Sequence, residues 1–264
     1  MKVFEAIRLS MKDDVARVTL CRPEIRNAVD SVLLKELIEA TEILQGADNV
    51  HYVILDHEGP VFSAGAHLME IRDYTAEKNL EKQKKGLRQY QSLAQEFVRR
   101  FGNIEQISFA ALRDSAYGAG VGIAVPCDFR IMAERAVLNL PESGLGMFLA
   151  WGLTPALVHS IGLARSKEMI MLGEDWEATK CAGVGLADRV VERENVESEI
   201  QGMIARLRTR SWPAVRMCKR LANAAGALSS LGQLSMAEIE LAGEALSGGE
   251  VGRRLDEFLA RRGR

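Results

Sequence analysis

A single carboxylate in an apolar stretch is the first feature of this sequence that could do chemistry. Glu142 follows a strand-like segment at residues 136–140 and Pro141, and it precedes an apolar run at residues 147–151. Desolvation disfavours the charged form of a carboxylate, and a pKa near neutrality suits a group that accepts and returns protons. Taken alone, a glutamate here is more often a helix N-cap or a surface residue. Glu142 is therefore a candidate general acid/base that needs further support.

Two segments of small residues offer candidate backbone donors. Residues 61–68 read VFSAGAHL after a predicted strand, and residues 116–123 read AYGAGVGI after another. The first N–H groups of a helix have no intrahelical partner, and small side chains let a ligand approach them. The Ala66 N–H is thus a candidate ligand contact, and the Ala119 N–H, which the helix dipole assists, is a candidate for stabilising an oxyanion. The first segment is also typical of a plain strand-to-helix turn, and Ile123 breaks the GxGxxG pattern that would make the second a nucleotide site.

Apolar strand-like segments alternate with helical spacing through most of the chain. Strands are predicted at residues 3–9, 15–20, 52–55, 107–112, 129–132, 136–140 and 184–191. Helices are predicted at 31–44, capped by Asp30 or Ser31, along the mostly solvated stretch 70–100, and repeatedly from residue 154 onward. This order predicts an α/β fold with a helical appendage.

Composition and charge exclude several function classes. The chain has 264 residues, 47% of them hydrophobic, and 34 Lys and Arg balance 36 Asp and Glu to a net charge of -2. Nucleic acid is not expected as a partner, because neutralisation of phosphates dominates that binding. No signal peptide or apolar run of about 18 residues is visible, which predicts a cytoplasmic protein without a membrane partner. Cysteines 21, 127, 181 and 218 form no CxxC pair and the histidines no HExxH motif, so no metal is expected.

The motifs in this order resemble those of the crotonase (enoyl-CoA hydratase/isomerase) superfamily. The matching segments are Arg22-Pro23-Glu24 with Asn27-Ala28, FSAGA at 62–66, the glycine-rich stretch 118–122, Cys127-Asp128, Pro141-Glu142 with the glycines at 144 and 146, and the ending 250–259. The resemblance implies an α/β fold of the crotonase type, a ββα superhelix over residues 1–195. It also implies a helical region at 196–264 that builds trimers or dimers of trimers. The implied substrate is an acyl-CoA thioester, with no cofactor beyond the coenzyme A that the substrate carries.

The resemblance also implies roles for individual residues. Ala66 and Ala119 would form the oxyanion hole on the thioester carbonyl, and Glu142 would transfer the proton. Further substrate contacts are expected from Arg22, Arg26, Ala28, Ala64, Leu68, Gly118, Met147, Phe148 and Trp151. Of these, Arg22 and Arg26 would serve the nucleotide end, with a C-terminal basic cluster (Arg253, Arg254, Arg261, Arg262) as a weaker candidate. The bulky residues at 147–151 would shape an acyl pocket, although Phe148 and Leu149 suit structural packing equally well.

Two departures from the family pattern bear on the reaction. Hydratases of the family carry a first glutamate where this chain has Gly122, and only Glu142 remains. One base is enough to move a double bond, and the pattern resembles that of Δ3,Δ2-enoyl-CoA isomerases, so isomerisation is predicted. His67 stands where the family has aspartate: it is either a tolerated change in a helix's first turn or a second acid/base. The second interpretation would support hydratase, hydrolase or lyase chemistry, and a non-catalytic acyl-CoA-binding protein is a third alternative.

Overall fold

A six-stranded sheet lies at the centre of the molecule. The computed structural model describes residues 3–77, 79–227 and 250–261. The strands are β1 (Ile7–Lys12), β2 (Val15–Leu20), β3 (Tyr52–His57), β4 (Ile107–Leu112), β5 (Ala116–Tyr117), β6 (Phe129–Ala133), β7 (Val137–Asn139), β8 (Trp176–Glu177) and β9 (Arg189–Val191). The sheet has the order β1-β2-β3-β4-β6-β9, and β5, β7 and β8 form a second, three-stranded sheet.

Helices cover the sheets and supply most of the loops that reach the site. They are α1 (Ser31–Gln45), α2 (Leu68–Ala76), α3 (Leu80–Gly102), α4 (Ala119–Ala124), α5 (Leu153–Leu172), α6 (Ala178–Gly183), α7 (Val196–Arg208), α8 (Trp212–Ala227) and α9 (Glu250–Arg261). Short 3₁₀ turns lie at Pro23–Ile25, Glu142–Leu145 and Arg193–Asn195. Among the described helices, none is long and apolar enough to cross a bilayer.

Strand pairing follows the hydrophobic pattern of the sequence. β1 and β2 form an antiparallel hairpin around Asp13 and Asp14, with Lys12 opposite Val15. From β2 to β9 the neighbours in the large sheet are parallel. Every residue of β3 and β4 is buried, which is why both read as continuous runs rather than as alternating strands.

Three predicted elements differ from the observed ones. The first strand begins at Ile7 rather than Val3, because the N–H groups of Glu5 and Ala6 donate to the Glu36 carboxylate, each at 2.7 Å. The helical stretch 70–100 is two helices, since Asn79 accepts from the first N–H groups of α3 and starts a new helix there. The last predicted strand shortens to β9, because the backbone turns at Gly185, with φ +83°.

Helix α1 shows how the local sequence builds the layer beneath the site. Its N-cap is Asp30, whose carboxylate accepts a hydrogen bond from Leu33 N at 2.8 Å. Its apolar face buries Leu33, Leu34, Leu37, Ile38 and Leu44. The cap and the apolar stripe together fix where the preceding loop, residues 22–30, meets the rest of the molecule.

The C-terminal part of the chain also contacts the sheet. Helix α7 buries Val196, Ile200 and Ile204 and packs against β4 and β6. The predicted division at residue 195 stays a prediction. Arg262, a member of the predicted C-terminal basic cluster, lies outside the described residues.

Candidate active site

In the loop between β3 and α2, the N–H group of Ala66 points away from the segment with which the loop pairs. Val29 N donates to Gly65 O and His67 N donates to Val29 O, both at 2.8 Å. Because peptide groups alternate in direction along an extended segment, these two bonds turn the Ala66 N–H to the opposite side. Among the described residues, none accepts a hydrogen bond from the Ala66 N–H group.

A second free N–H group lies at the start of α4. Gly118 N donates to Asn139 O at 2.8 Å, which ties the helix start to β7. Gly118 has φ +48° and ψ −116°, a conformation that glycine adopts far more readily than other residues. The Ala119 N–H that follows donates to no acceptor within the described part of the chain.

The two segments touch through backbone rather than side chains. A methyl group added at Gly65 would lie 2.9 Å from Tyr117 O and 3.7 Å from Ala119 N. Glycine at position 65 therefore lets the segment that carries Ala66 approach the segment that carries Ala119. Two backbone donors in so small an area are what stabilisation of one oxyanion requires.

Glu142 lies directly against the start of α4. A methyl group added at Gly118 would lie 2.7 Å from Glu142 Oε1 and 3.9 Å from Gly65 Cα. Pro141 and the 3₁₀ turn that begins at Glu142 direct the side chain toward this point. The carboxylate thus lies at Gly118, the residue that directly precedes the Ala119 N–H group.

Burial raises the pKa of Glu142 to about 7. Its Oε2 atom is buried and has no hydrogen-bond partner among the described residues. A carboxylate in this state exists in both protonation forms near neutral pH, so it can accept a proton and return it.

Trp151 and Tyr90 form an aromatic wall beside α4. Trp151 is 6% exposed, and its ring meets that of Tyr90 edge to face with centroids 5.9 Å apart. The Tyr90 hydroxyl donates to Val29 O at 2.9 Å, so the wall is anchored to the loop that orients Ala66. A methyl group added at Gly122 would lie 2.9 Å from Trp151 Cε3. The indole therefore fills the space in which a glutamate at position 122 would stand.

Tyr90 was not among the residues predicted from sequence. It lies in α3, within the stretch predicted to be mostly solvated, yet it is 2% exposed. Burial raises its pKa well above the ordinary value, with smaller contributions from nearby carboxylates that include Glu142. The helical spacing of Leu87, Tyr90, Ala94, Phe97 and Phe101, all buried, is the signal that could have revealed this face.

His67 caps α2. Its Nδ1 atom accepts a hydrogen bond from Glu70 N at 3.4 Å, the part that an aspartate side chain can also play at an N-cap. This contact favours the structural interpretation of His67 over the interpretation as a second acid/base, although the residue directly follows Ala66.

Arg22 and Arg26, the two arginines predicted to contact the nucleotide, differ in whether their guanidinium groups are already hydrogen-bonded. Arg22 is buried, and its guanidinium donates to the Asp30 carboxylate at 2.7 and 2.8 Å and to Ala28 O at 3.0 Å. It therefore holds the 22–30 loop and the cap of α1 in place. Arg26 is exposed, and its side chain forms no ion pair with any residue that the structure describes. Of the two, Arg26 has the free guanidinium.

The remaining predicted contacts surround the same loops. Ala64 is exposed and its N–H donates to Arg26 O at 2.9 Å, whereas Ala28 is buried and Leu68 half-buried. Met147 and Phe148 are half-buried and pack against the core. In the C-terminal cluster, Arg253 pairs with Glu257 at 2.6 Å and Arg254 donates to Gly144 O at 3.3 Å.

Comparison with known proteins identifies the family. Residues 10–263 match the family model described as enoyl-CoA hydratase/isomerase. The chain belongs to this family. The predicted resemblance to the crotonase superfamily is therefore confirmed, and the match covers nearly the whole chain.

Individual relatives and solved structures agree with that assignment. The short-chain-enoyl-CoA hydratase of Clostridium acetobutylicum is 29% identical over 216 residues, which cover 81% of this chain and 80% of that protein. The crotonyl-CoA hydratase of Syntrophomonas wolfei is 28% identical over 221 residues, 83% of this chain and 82% of that one. An enoyl-CoA hydratase/isomerase structure from Xanthobacter autotrophicus matches with a TM-score of 0.85 at 26% identity, over 98% of this chain and 94% of its own. The fold of an enoyl-CoA hydratase from Bacillus halodurans matches with a TM-score of 0.87 at 20% identity, over 96% of this chain and 100% of its own.

Proposed function

We propose that this family member moves the carbon–carbon double bond of an enoyl-CoA thioester, with Glu142 as the single acid/base. The observation that carries the proposal is the Glu142 carboxylate, buried, with a pKa of about 7 and in contact with Gly118 beside two free N–H groups. Glu142 removes a proton from C2 of a 3-enoyl thioester and returns it to C4. The bonding electrons move from C–H into a dienolate and then back, so that the 2-enoyl thioester forms without addition or loss of water.

The backbone donors make that proton removal feasible. Loss of the C2 proton places negative charge on the thioester oxygen, and the N–H groups of Ala66 and Ala119 would bind this oxygen. Preorganised donors stabilise such charge more strongly in a water-poor site than in solution. The remaining partner predictions accompany this proposal: coenzyme A phosphates near Arg26, no separate cofactor, and a trimer or a dimer of trimers.

Hydration is the second candidate, because the relatives named above are hydratases. It would need a second group to activate water, and His67 is the nearest predicted candidate. The hydrogen bond from Glu70 N to His67 Nδ1 engages one of its ring nitrogens in the cap of α2. A non-catalytic acyl-CoA-binding protein is the third alternative, and it gives no reason for an unpartnered buried carboxylate at this point.

A labelling experiment separates the candidates. The purified protein is incubated with paired 2-enoyl- and 3-enoyl-CoA substrates of several chain lengths in heavy water, and the products are weighed by mass spectrometry. Isomerisation gives a moved double bond and no added water, with deuterium at carbon to the extent that the proton held by Glu142 exchanges with solvent before it reaches C4. A mass gain of one water would make the protein a hydratase, and no reaction with any chain length would support the binding protein.

A Glu142→Gln variant tests the role of the carboxylate. We expect turnover to fall by about 100- to 10,000-fold, the range that a general acid/base contributes. Glu134→Gln, a matched change at an exposed glutamate, should leave turnover unchanged. Turnover of Glu142→Gln at the wild-type rate would refute the assignment.

Stability provides the folding control for that variant. The pKa of Glu142 rises from 4.5 to about 7 on folding, so the folded state resists losing the proton and is destabilised as the pH increases through that interval. Above pH 7 the neutral amide of Glu142→Gln should therefore raise the free energy of unfolding, by up to about 3 kcal/mol. Urea unfolding at pH 8 and at pH 4, where the gain should vanish, measures this.

A further inference from the structure

Glu142 and Trp151 contact the same face of α4, one helical turn apart. The space next to Gly118 holds Glu142 Oε1, and the space next to Gly122 holds the Cε3 and Cζ3 atoms of Trp151, at 2.9 and 3.2 Å from an added methyl group. Gly122 N donates to Gly118 O, so the two positions belong to one turn. One helical turn rises by about 5.4 Å, so the spaces beside Gly118 and Gly122 lie close together. The edge of the indole therefore borders the space into which the Glu142 carboxylate opens.

The position of the indole is held by an unusual backbone. Trp151 has φ +73°, in the left-handed region that a bulky residue seldom occupies. Strain of this kind persists only where the surroundings enforce it, and it concentrates at functional sites. Here the ring is enclosed by Gly122 on one side and by the edge of Tyr90 on another.

The chemistry of water addition sets what this ring can do. Hydration forms a C3–O bond and a C2–H bond, so a water molecule must be held beside C3 by a group that takes its proton. Buried water is stable only with several polar partners. The benzene edge of Trp151 offers none, and it leaves no room for a carboxylate at position 122.

We propose that Trp151 is a specificity-determining residue that excludes water from the face of the double bond and so restricts Glu142 to proton transfer between carbons. This inference deepens the proposed isomerisation and rests on it. It explains why Gly122 and Trp151 occur together: the absence of a side chain at 122 is what admits the ring.

The test uses variants that should restore water addition to the double bond, one substitution at a time. Wild type, Trp151→Gly, Gly122→Glu and the double variant Gly122→Glu/Trp151→Gly are incubated with crotonyl-, hexenoyl- and decenoyl-CoA in ¹⁸O-labelled water. Glycine at position 151 suits the observed φ, so this change does not add backbone strain. We expect no label in the wild-type product, label with Trp151→Gly, and at least about 10-fold more with the double variant than with Gly122→Glu alone, since a second acid/base contributes at least that factor.

Controls separate this inference from the function on which it rests. Trp212→Gly removes a tryptophan that stacks on His51, with ring centroids 4.2 Å apart, and should leave the wild-type products unchanged. Double-bond movement is followed independently by deuterium at carbon. If the wild type moves no double bond but the double variant adds water, the proposed isomerisation fails while the assignment of Trp151 holds. A folded double variant that incorporates no more label than Gly122→Glu would overturn the assignment, as would rapid hydration by the wild type.

A second variant covers the case in which Trp151→Gly does not fold. Gly122→Ala places a methyl group against the ring, and helix α4 tolerates alanine well. We expect kcat/KM for isomerisation to fall at least about tenfold, because a shift of about 1 Å at a reacting centre has effects of that size or larger. Wild-type kinetics in Gly122→Ala would show that the ring does not border the reacting atoms.

Discussion

The chemistry of Glu142 depends on what surrounds one side chain. Burial raises its pKa, and among the residues that the structure describes no cation counteracts this shift. The contrast with Asp30 is instructive, since Asp30 is also partly buried but accepts from Arg22 and Leu33, and these bonds lower its pKa. A carboxylate with partners supports structure, whereas one without partners is free to exchange a proton.

The pH dependence of the reaction follows from that environment. Glu142 must be deprotonated to remove the C2 proton, so kcat/KM should rise about tenfold per pH unit below pH 7 and level off above it, since its pKa is about 7. A single base requires no second ionisation, and the plateau should persist to pH 9. Initial rates with 3-hexenoyl-CoA between pH 5 and 9 measure the profile. A bell-shaped curve would contradict the single-base mechanism and support His67 as a second acid/base.

At the scale of elements, the site is the meeting point of three loops that no single helix or strand could supply. Isolated bridges join Val29 to Ala66 and Ser63 to Ala116, and so connect the loop before α1, the loop before α2 and strand β5. The Ser63 hydroxyl donates to Asn27 O at 2.7 Å and reinforces this connection. The geometry of the two N–H groups therefore depends mainly on backbone contacts between these segments, with the Ser63 hydroxyl as an additional link.

Gly65→Ala tests this dependence on close backbone approach. Gly65 has φ +94°, and the added methyl group would lie 2.9 Å from Tyr117 O. We expect a loss of about 1–3 kcal/mol in unfolding free energy and a large fall in kcat, since the Ala66 and Ala119 donors would be pushed apart. Gly202→Ala is the control, because its methyl group would meet nothing within 4 Å and lies in helix α7. Wild-type turnover in Gly65→Ala would show that the two segments need not touch.

At the scale of the molecule, a charge cluster centred on the buried Asp56 connects the sheet to helix α7. The Asp56 carboxylate on β3 accepts from Arg17 on β2 and from Arg113 after β4. Arg17 also donates to Glu197 on α7 at 2.7 Å. Farther along, α9 packs against α2 and the Glu142 turn, with Arg72 paired to Asp256 at 3.2 Å. Late segments of the chain thus support both the sheet and the site.

Removing the centre of that cluster should destabilise the whole fold. Asp56 is 4% exposed, and Asp56→Ala removes the buried one of the two carboxylates that Arg17 and Arg113 share, leaving Glu197. We expect a loss of about 1.5–3 kcal/mol in unfolding free energy, because two partly exposed arginines lose their hydrogen bonds to a charged group. Asp48→Ala, at an exposed aspartate, should change it by less than about 0.5 kcal/mol. Urea titrations of the two variants measure the difference, and similar values for both would mean that the cluster contributes little.

Sequence alone determined the features that depend on local rules. The hairpin at Asp13 and Asp14, the Asp30 cap, strand β4 and the start of α4 follow from alternation, capping and glycine preferences that act over a few residues. The order of the motifs also indicated the family and its fold, which the comparisons confirm. Short-range patterns carry this information because each is enforced by the chain's own neighbours.

Tertiary structure alone decided which distant residues share one environment. It places Glu142 against Gly118, the Trp151 ring against Gly122 with a left-handed backbone, and the Tyr90 hydroxyl on Val29 O. It also engages Arg22 with Asp30, which the charge pattern did not reveal. Desolvation, and the pKa that results from it, is a sum over atoms contributed by remote segments. No local pattern encodes that sum, so the chemical state of the site emerges only when the loops have assembled.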